Sequence, residues 1–203
     1  TTSSTFACIS NASTSAGSGN NNNSFVNNQL LRAQNGIYSL GPSATVKNLN
    51  TVISQNLING TVAASTNIRT AGISVGFEDN ITITGNNIAN IAGGSSTDGY
   101  GIVLGNNGSN VVDVLNSTFP AGNEVSNALV SDNIIGNIRG ASTYSAIGIY
   151  AAPTTTVGTT RIYDNSITAI VANGTGGDFG SAILIGGGAS TVRVYHNSVN
   201  SAG

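Results

Sequence analysis

The chain has 203 residues, of which 39% are hydrophobic and only 7% are charged, and its formal net charge is −2. Six Lys and Arg residues cannot neutralise many phosphates, which excludes a nucleic-acid binder. The hydrophobic content excludes a charge-rich disordered chain. No apolar run approaches the ~20 residues of a membrane-spanning helix, so the sequence predicts no membrane insertion.

Residue usage indicates an all-β protein. Leu is rare and Met is absent, whereas Ile, Val and Thr, which favour strands, are abundant. The length is sufficient for one sizeable core, and we expect a single domain over residues 1–203. The single Cys8 cannot form an internal disulfide. Its alternation with polar neighbours in TFACIS favours inert packing over a thiol with a partner outside this chain.

Six segments share one pattern centred on an asparagine. They read SFVNNQL, VISQNLI, TITGNNI, LVSDNII, RIYDNSI and RVYHNSV, and their asparagines are Asn28, Asn56, Asn86, Asn133, Asn165 and Asn197. The residue three positions before each asparagine and the residue two positions after it are apolar in all six segments. This alternation predicts a strand, a turn near the asparagine and another inward-facing residue.

A second set of segments lies between these, namely GIYSL from Gly36, GISV from Gly72, GIVL from Gly101, GIY from Gly148 and AILI from Ala182. Successive asparagines of the first set are 28, 30, 47, 32 and 32 residues apart. A period near thirty predicts a solenoid of six to seven coils of about 30 residues. The long spacing predicts a loop insertion near 105–127, and a partial match at Asn11 suggests an N-terminal coil.

Equivalent strands of stacked coils lie ~4.8 Å apart, so residues in the same frame should form columns. An asparagine side chain carries both a donor and an acceptor, and a column of asparagines can therefore bond from coil to coil. The six asparagines of the repeat are thus predicted to form a structural column, called the Asn ladder below.

The segments GISVGFEDNITITGNNIANI and VRVYHNSV resemble the repeats of the right-handed parallel β-helix, or pectate-lyase-like, family. They are similar in particular to repeat regions of large secreted bacterial surface proteins of Bacteroidetes type. The resemblance implies a right-handed parallel β-helix that is secreted or lies at the cell surface. It leaves the function open, because the same fold carries lyases, hydrolases, adhesins and spacers.

Acidic residues are sparse, and two of them directly precede ladder asparagines. Asp132 and Asp164 should therefore lie on adjacent coils, near Arg161. Two carboxylates at strand spacing come near the ~5–5.5 Å of a retaining glycosidase pair. We expect these residues to be solvated turn residues rather than catalytic ones. A polysaccharide lyase or glycoside hydrolase acting on the outer face is the alternative.

The last two predicted coils place Arg161 over Arg193 and Tyr163 over Tyr195, with His196 alongside. Aromatic rings and guanidinium groups bind sugars, so these residues form a candidate glycan-binding strip, although stacked tyrosines can also simply cover a strand surface.

No cofactor is predicted, and no residue set predicts a transition-metal site. Glu78 and Asp79 in GFEDN are adjacent acids that could offer a weak calcium contact, but a solvated turn is the favoured interpretation. Asn59 and Asn107 begin glycosylation sequons of the kind expected by chance in so Asn-rich a chain.

Neither end of the sequence shows a capping helix, so we expect either a segment of a longer β-helix or a subunit that stacks head to tail. The sequence as a whole predicts a non-catalytic, extracellular structural or adhesive module. Its expected partners are flanking coils or other copies of itself, with polysaccharide as a further partner.

Overall fold

A computed structural model describes residues 5–12, 17–59, 67–93, 98–105, 125–140, 144–152, 158–172, 180–186 and 190–200. These residues form β-strands and, within the described ranges, no helix. In chain order the strands are β1 (Ala7–Ala12), β2 (Ser24–Val26), β3 (Gln29–Leu30), β4 (Asn35–Leu40), β5 (Asn48–Leu49), β6 (Val52–Ser54), β7 (Leu57–Ile58), β8 (Ala71–Gly76), β9 (Glu78–Asp79), β10 (Thr82–Thr84), β11 (Asn87–Ala89), β12 (Gly99–Leu104), β13 (Val125–Ser126), β14 (Leu129–Ser131), β15 (Ile134–Gly140), β16 (Ala146–Ala151), β17 (Thr159–Tyr163), β18 (Ser166–Ala172), β19 (Gly180–Ile185), β20 (Thr191–Tyr195) and β21 (Ser198–Asn200).

The strands form four sheets in which each strand pairs with the equivalent strand one coil away. Sheet A has the order β1-β4-β8-β12-β16-β19, and sheet B has the order β2-β6-β10-β14-β17-β20. Sheet C has the order β21-β18-β15-β11-β7-β3, and the short sheet D contains β13-β9-β5. Pairing is parallel throughout, as in the contacts of β10 with β6 and β14. This arrangement is a parallel β-solenoid, which confirms the predicted fold class.

Four coils, which begin with β4, β8, β12 and β16, are paired on both sides. The windings that begin with β1 and β19 are paired on one side among the described residues. The coil number therefore differs somewhat from the predicted six to seven.

The apolar positions of the repeat stack into columns inside the solenoid. Sheet A aligns Ile37, Ile73, Ile102, Ile149 and Ile183. Sheet B aligns Phe25, Ile53, Ile83, Val130, Ile162 and Val194. Sheet C aligns Leu30, Ile58, Ile88, Ile135, Ile167 and Val199. In the enclosed coils these side chains are fully buried, and they form one continuous core.

The glycines that open the GI segments lie where sheet A packs against isoleucine side chains of sheet C. A Cβ atom at Gly101 would lie 2.4 Å from the Gly148 carbonyl oxygen and 2.7 Å from Ile135 Cγ2. The equivalent atom at Gly72 would lie 2.5 Å from Ile88 Cγ2. Real Cβ atoms essentially never come this close to other heavy atoms, so the coil requires a residue without a side chain here.

The outer face of sheet A is also buried, unlike the outer face of sheet B. Strands β8, β12 and β16 are buried along their whole length. Tyr100, Val103, Ile147 and Tyr150 form a second apolar cluster there, separate from the main core. The alternation of buried and exposed residues that the sequence pattern predicts for half-buried strands therefore does not apply to this sheet.

The N-terminal coil suggested by the match at Asn11 is present, because β1 pairs with β4, and Asn11 lies there in sheet A, opposite Ser39. One other expectation near the start of the chain is wrong. Cys8 is exposed rather than packed in the core, because it alternates with the inward-facing Ile9. Its thiol donates to the Leu31 carbonyl oxygen at 3.1 Å.

The predicted insertion near 105–127 lies mostly outside the described residues, which include only its edges at Gly105 and Val125. Among the described residues, no helix is long and apolar enough to cross a membrane.

Candidate functional site

The Asn ladder runs through the solenoid at the corner between sheets B and C. The Nδ2 group of each asparagine donates to Oδ1 of the asparagine in the next coil. All five Nδ2–Oδ1 distances are 2.9 Å. They join Asn28 to Asn56, Asn56 to Asn86, Asn86 to Asn133, Asn133 to Asn165, and Asn165 to Asn197. Buried, stacked asparagines are therefore a feature of this fold, as the repeat predicts.

Asn133 shows how each enclosed amide is satisfied. Its Oδ1 accepts from the backbone N–H of Asn86 at 3.0 Å and from Asn86 Nδ2 at 2.9 Å. Its Nδ2 donates to Asn165 Oδ1 at 2.9 Å and to the Ile83 carbonyl oxygen at 3.0 Å. Two donors and two acceptor positions are thus filled without water, which removes the penalty of burying an amide.

The ladder has a direction. Every bond between neighbouring ladder side chains runs from the earlier asparagine as donor to the later one as acceptor. The first described member, Asn28, therefore has an Oδ1 that receives no donor from the described residues. The last, Asn197, has a backbone N–H without an acceptor there. The two ends of the column differ chemically.

The residue before each ladder asparagine has a left-handed backbone conformation. The φ angles lie between 53° and 66° for Asn27, Gln55, Gly85, Asp132, Asp164 and His196, which we call the turn row. Asparagine, aspartate and glycine adopt this conformation at the lowest cost. The side chains point outward, and Asp132, Asp164 and His196 are exposed.

The candidate catalytic residues lie on this outer surface. Asp164 Oδ1 is 3.8 Å from His196 Nδ1, and the two side chains are 48% and 78% exposed. An Asp132 carboxylate oxygen accepts from Thr84 Oγ1 at 3.4 Å. Arg161 lies in β17, opposite Leu129 on one side and Arg193 on the other. The structure thus places an acid beside an imidazole, but both are largely solvated.

The tyrosines of the candidate glycan-binding strip stack on each other. The rings of Tyr163 and Tyr195 have centroids 5.0 Å apart and planes inclined by 1°. Tyr195 also contacts the His196 ring edge-on at 5.3 Å. Arg161 and Arg193 are exposed and paired in register. Since parallel rings cover part of each other's faces, less ring surface remains for a sugar to stack on.

Glu78 is the largest departure from the sequence interpretation. It is fully buried, not a solvated turn residue. Its Oε1 accepts from the Ser39 hydroxyl and from Asn48 Nδ2, the latter at 2.9 Å, and its Oε2 accepts from Thr51 Oγ1 at 2.8 Å. Asn11 Nδ2 donates to Ser39 Oγ at 2.9 Å and extends this network.

The two acids suggested for calcium do not share one site. Glu78 bonds to the interior network, whereas Asp79 is half-buried and accepts from Ser126 Oγ at 2.9 Å and Asn127 Nδ2 at 2.8 Å. Consecutive strand residues point to opposite faces, which explains the separation. Among the described residues, no group of three or more His, Cys, Asp or Glu side chains could hold a metal ion.

Burial raises the pKa of the Glu78 carboxyl above its ordinary value of 4.5, and the hydrogen bonds from Ser39, Asn48 and Thr51 offset part of this effect. Between the ordinary and the raised pKa, the folded protein binds more protons than the unfolded chain. The free energy of unfolding should therefore fall as pH rises through this window.

We expect Glu78→Gln to remove this pH dependence, because glutamine keeps the shape but does not titrate. The variant should match the wild type below pH 4.5 and become progressively more stable than it as pH rises. Thermal unfolding followed by circular dichroism at several pH values measures the difference. Asp79→Asn is the matched control, and parallel pH profiles for wild type and Glu78→Gln would contradict the expectation.

The sequence interpretation did not identify two further asparagine columns. Outside the solenoid, Asn80 Nδ2 donates to Asn50 Oδ1 at 2.8 Å, and Asn50 Nδ2 donates to Asn22 Oδ1 at 2.9 Å. All three have positive φ. The signal was present in the sequence, because Asn22, Asn50, Asn80 and Asn127 each lie six residues before a ladder asparagine.

The second of these columns contains Asn59, which begins one of the sequons named above. Asn59 is fully buried, and its Nδ2 donates to the carbonyl oxygens of Ile68 and Asn90, each at 3.1 Å. Its Oδ1 accepts from the Ile68 N–H at 2.6 Å. Asn137 continues the column by donating to Asn90 Oδ1 at 2.5 Å. The Asn59 amide therefore holds the backbone at Ile68 and Asn90 in place, and the sequon at Asn107 lies outside the described residues.

The strand order and the stacked asparagines together define a parallel β-solenoid protein. Comparisons with family models, curated proteins and solved structures give no match to this chain. The class therefore rests on the strand pairing and the hydrogen bonds described above, and no family match supports the pectate-lyase-like type.

Proposed function

We propose that the chain is a non-catalytic structural module, a stiff β-helix segment of a secreted or cell-surface assembly. The observation that carries the proposal is the uninterrupted Asn ladder, whose five side-chain bonds keep one length across all the described coils. Repetition of one geometry in every coil is the property of a rod and not of a local reaction centre.

Two features supply the stiffness. Sheets A, B and C each run without interruption through six strands, so bending the rod requires distortion of three sheets at once. The buried columns of isoleucine and valine then fix the spacing of the coils. Hydrogen-bond columns in a low-dielectric interior reinforce one another, which further resists separation of neighbouring coils.

The proposal also includes the type of β-helix, its location outside the cell and its partners. The likeness of the repeats to right-handed, pectate-lyase-like β-helices, and to large bacterial surface proteins, supports a structural or adhesive role outside the cell. The low charge, 7% of residues, suits a surface that contacts other chains or carbohydrate. Partners of this module would be flanking β-helix coils, other copies of the chain, and polysaccharide at the strip of Arg161, Tyr163, Arg193, Tyr195 and His196.

The alternative is a polysaccharide lyase or glycoside hydrolase that uses Asp132, Asp164 and Arg161. The observation in its favour is the contact of Asp164 with His196 at 3.8 Å. Against it, Asp132 and Asp164 belong to the turn row, whose residue type changes from coil to coil and includes Gly85 and Gln55. Catalytic acid and base groups usually lie in a concave site that excludes water, whereas the Asp164 and His196 side chains are 48% and 78% exposed.

A panel of neutral and acidic polysaccharides tests the proposal with two measurements. We expect no release of reducing or unsaturated ends by the wild type, and the same background for Asp164→Ala. Cleavage by the wild type that Asp164→Ala abolishes would overturn the non-catalytic assignment. Retention on immobilised polysaccharide, compared between wild type and Tyr195→Ala, measures separately whether the strip binds glycan.

A further inference from the structure

The outer surface of sheet B carries two tyrosine rings that stack directly on each other. Tyr163 of β17 and Tyr195 of β20 are register partners, so their Cα atoms lie one strand spacing, ~4.8 Å, apart. Their ring centroids are 5.0 Å apart, and their planes are inclined by only 1°. Corresponding atoms of the two phenol rings therefore lie side by side along the solenoid axis.

Both rings can be reached from solvent. Tyr195 is 38% exposed, and Tyr163 is half-buried. Tyr163 stays accessible although its strand is paired on both sides, with β14 and with β20. Access to this row of side chains is therefore a property of the outer face of sheet B, and it does not depend on a coil lacking a neighbour.

A second tyrosine pair, on the outer face of sheet A, provides an internal comparison. The ring centroids of Tyr100 and Tyr150 are 6.1 Å apart, and their planes are inclined by 53°. The two residues are 1% and 2% exposed, and the Tyr100 hydroxyl donates to Asp98 Oδ2 at 2.9 Å. This pair is enclosed and tilted, whereas the Tyr163–Tyr195 pair is accessible and parallel.

Two accessible phenol rings held side by side are well placed for oxidative coupling. Removal of one electron and the hydroxyl proton from a tyrosine gives a phenoxyl radical, whose unpaired electron is shared between the oxygen and the ortho carbons Cε1 and Cε2. When two such radicals are neighbours, an ortho carbon of one ring bonds to an ortho carbon of the other. The hydrogen on each bonded carbon then moves to the oxygen of its own ring, which gives dityrosine.

We propose that Tyr163 and Tyr195 form an oxidative cross-linking site, at which a haem peroxidase and hydrogen peroxide join two neighbouring coils by a Cε–Cε bond. The peroxide accepts both electrons and both protons and becomes two molecules of water. Because the register places the second ring beside the first before either is oxidised, coupling within one chain is favoured over coupling between chains.

The cross-link goes beyond the proposed structural function, because it adds a covalent bond to coils that are otherwise joined by hydrogen bonds and packing. It closes the segment 163–195 into a loop and so restricts the unfolded chain, as a disulfide does. The same stacking that leaves little ring surface for a sugar thus suits the two tyrosines to bond to each other.

Treatment of the full chain in dilute solution with hydrogen peroxide and a haem peroxidase tests the proposal. We expect the blue fluorescence of dityrosine in a product that still runs as a single chain on a denaturing gel. Mass spectrometry after proteolysis should find the peptides of Tyr163 and Tyr195 joined, with one hydrogen lost from each. Absence of this joined pair, or cross-links found only between chains, would overturn the proposal.

Single variants assign the fluorescence to the stacked pair. Tyr163→Phe and Tyr195→Phe keep the ring but cannot form the phenoxyl radical, so each variant should lose the dityrosine signal of the single chain. Tyr144→Phe is the matched control, because Tyr144 is also half-buried and has no stacked tyrosine among the described residues. Retention of the signal by Tyr163→Phe, or its loss in Tyr144→Phe, would contradict the assignment.

The denaturation midpoint tests whether the bond reinforces the solenoid. Cross-linked wild type should unfold at a higher denaturant concentration than the untreated protein, whereas treated Tyr163→Phe, which controls for other oxidation, should show no rise. Equal midpoints for cross-linked and untreated wild type would overturn this reinforcing role. Because these assays contain no polysaccharide, their outcome leaves the cleavage assay, and hence the non-catalytic assignment, unaffected.

Discussion

Asn133→Leu should lower the free energy of unfolding by about 2–5 kcal/mol, although leucine is more hydrophobic than asparagine. The substitution removes Asn133 Oδ1, which leaves the N–H of Asn86 without its acceptor and reduces the acceptors of Asn86 Nδ2 to the carbonyl oxygens of Ile53 and Thr84. Asn86 is 1% exposed, so water cannot replace that acceptor. Chemical denaturation followed by circular dichroism measures the loss, and each kcal/mol should lower the melting temperature by about 2–4 °C.

Asn28→Leu is the matched control for the ladder. Asn28 is half-buried, and its Oδ1 receives no donor from the described residues, so the variant loses only the donations of Nδ2 to Asn56 Oδ1 and to the Val26 carbonyl oxygen. Its cost should stay below about 1 kcal/mol. If Asn133→Leu and Asn28→Leu unfold at the same denaturant concentration as the wild type, the ladder does not contribute to stability in the way proposed.

Gly101→Ala should destabilise the solenoid by about 3 kcal/mol, the upper end of the range for overpacking. The added Cβ atom would lie 2.4 Å from the Gly148 carbonyl oxygen, a backbone atom held by the pairing of β12 with β16. Relief of this contact requires a shift of two coils relative to each other. The denaturation midpoint of the variant relative to the wild type measures the effect.

Gly180→Ala provides the control for the glycine prediction. A Cβ atom at Gly180 would have its nearest neighbour, the Ala172 nitrogen, at 3.5 Å, an ordinary contact distance. We expect a change within about 0.5 kcal/mol. A midpoint for Gly101→Ala as close to the wild type as that of Gly180→Ala would show that sheet packing does not require glycine at position 101.

The columns of inward-facing side chains can be predicted from the sequence, because they depend on the local alternation of apolar and polar residues. Alternation around each ladder asparagine places Ile83 and Ile88 inside, and one shared frame aligns them with Ile53 and Ile58. A frame shift by one residue would turn every one of these side chains outward, so the register is strongly determined. The direct pairing of the six ladder asparagines follows from the same frame.

The environment of Glu78 does not follow from local pattern. The segment GFEDN reads as a turn, and β9 contains only two residues. The donors that bury the carboxylate, Ser39, Asn48 and Thr51, lie 39, 30 and 27 residues earlier in the chain. Their proximity to Glu78 can be recognised only when the packing of sheets A and D inside the coil is known.

Sheet A shows a second limit of pattern reasoning. The segment GIVL was correctly predicted as a strand, but its burial on both faces depends on contacts outside the repeat frame. Tyr100 and Tyr150 meet on the outer face with centroids 6.1 Å apart, and they come from segments separated by a whole coil. Tyrosine is compatible with either a solvated or a covered surface, so the residue type alone could not decide between them.

The turn row has a consequence for what this scaffold can tolerate. Amide, carboxylate, imidazole and a bare hydrogen all occupy the same backbone conformation, as Gln55, Asp164, His196 and Gly85 show. The chemistry of this position is therefore uncoupled from folding, provided that the residue accepts a left-handed backbone. The turn row can therefore present side chains of different chemistry at regular intervals of ~4.8 Å along the solenoid.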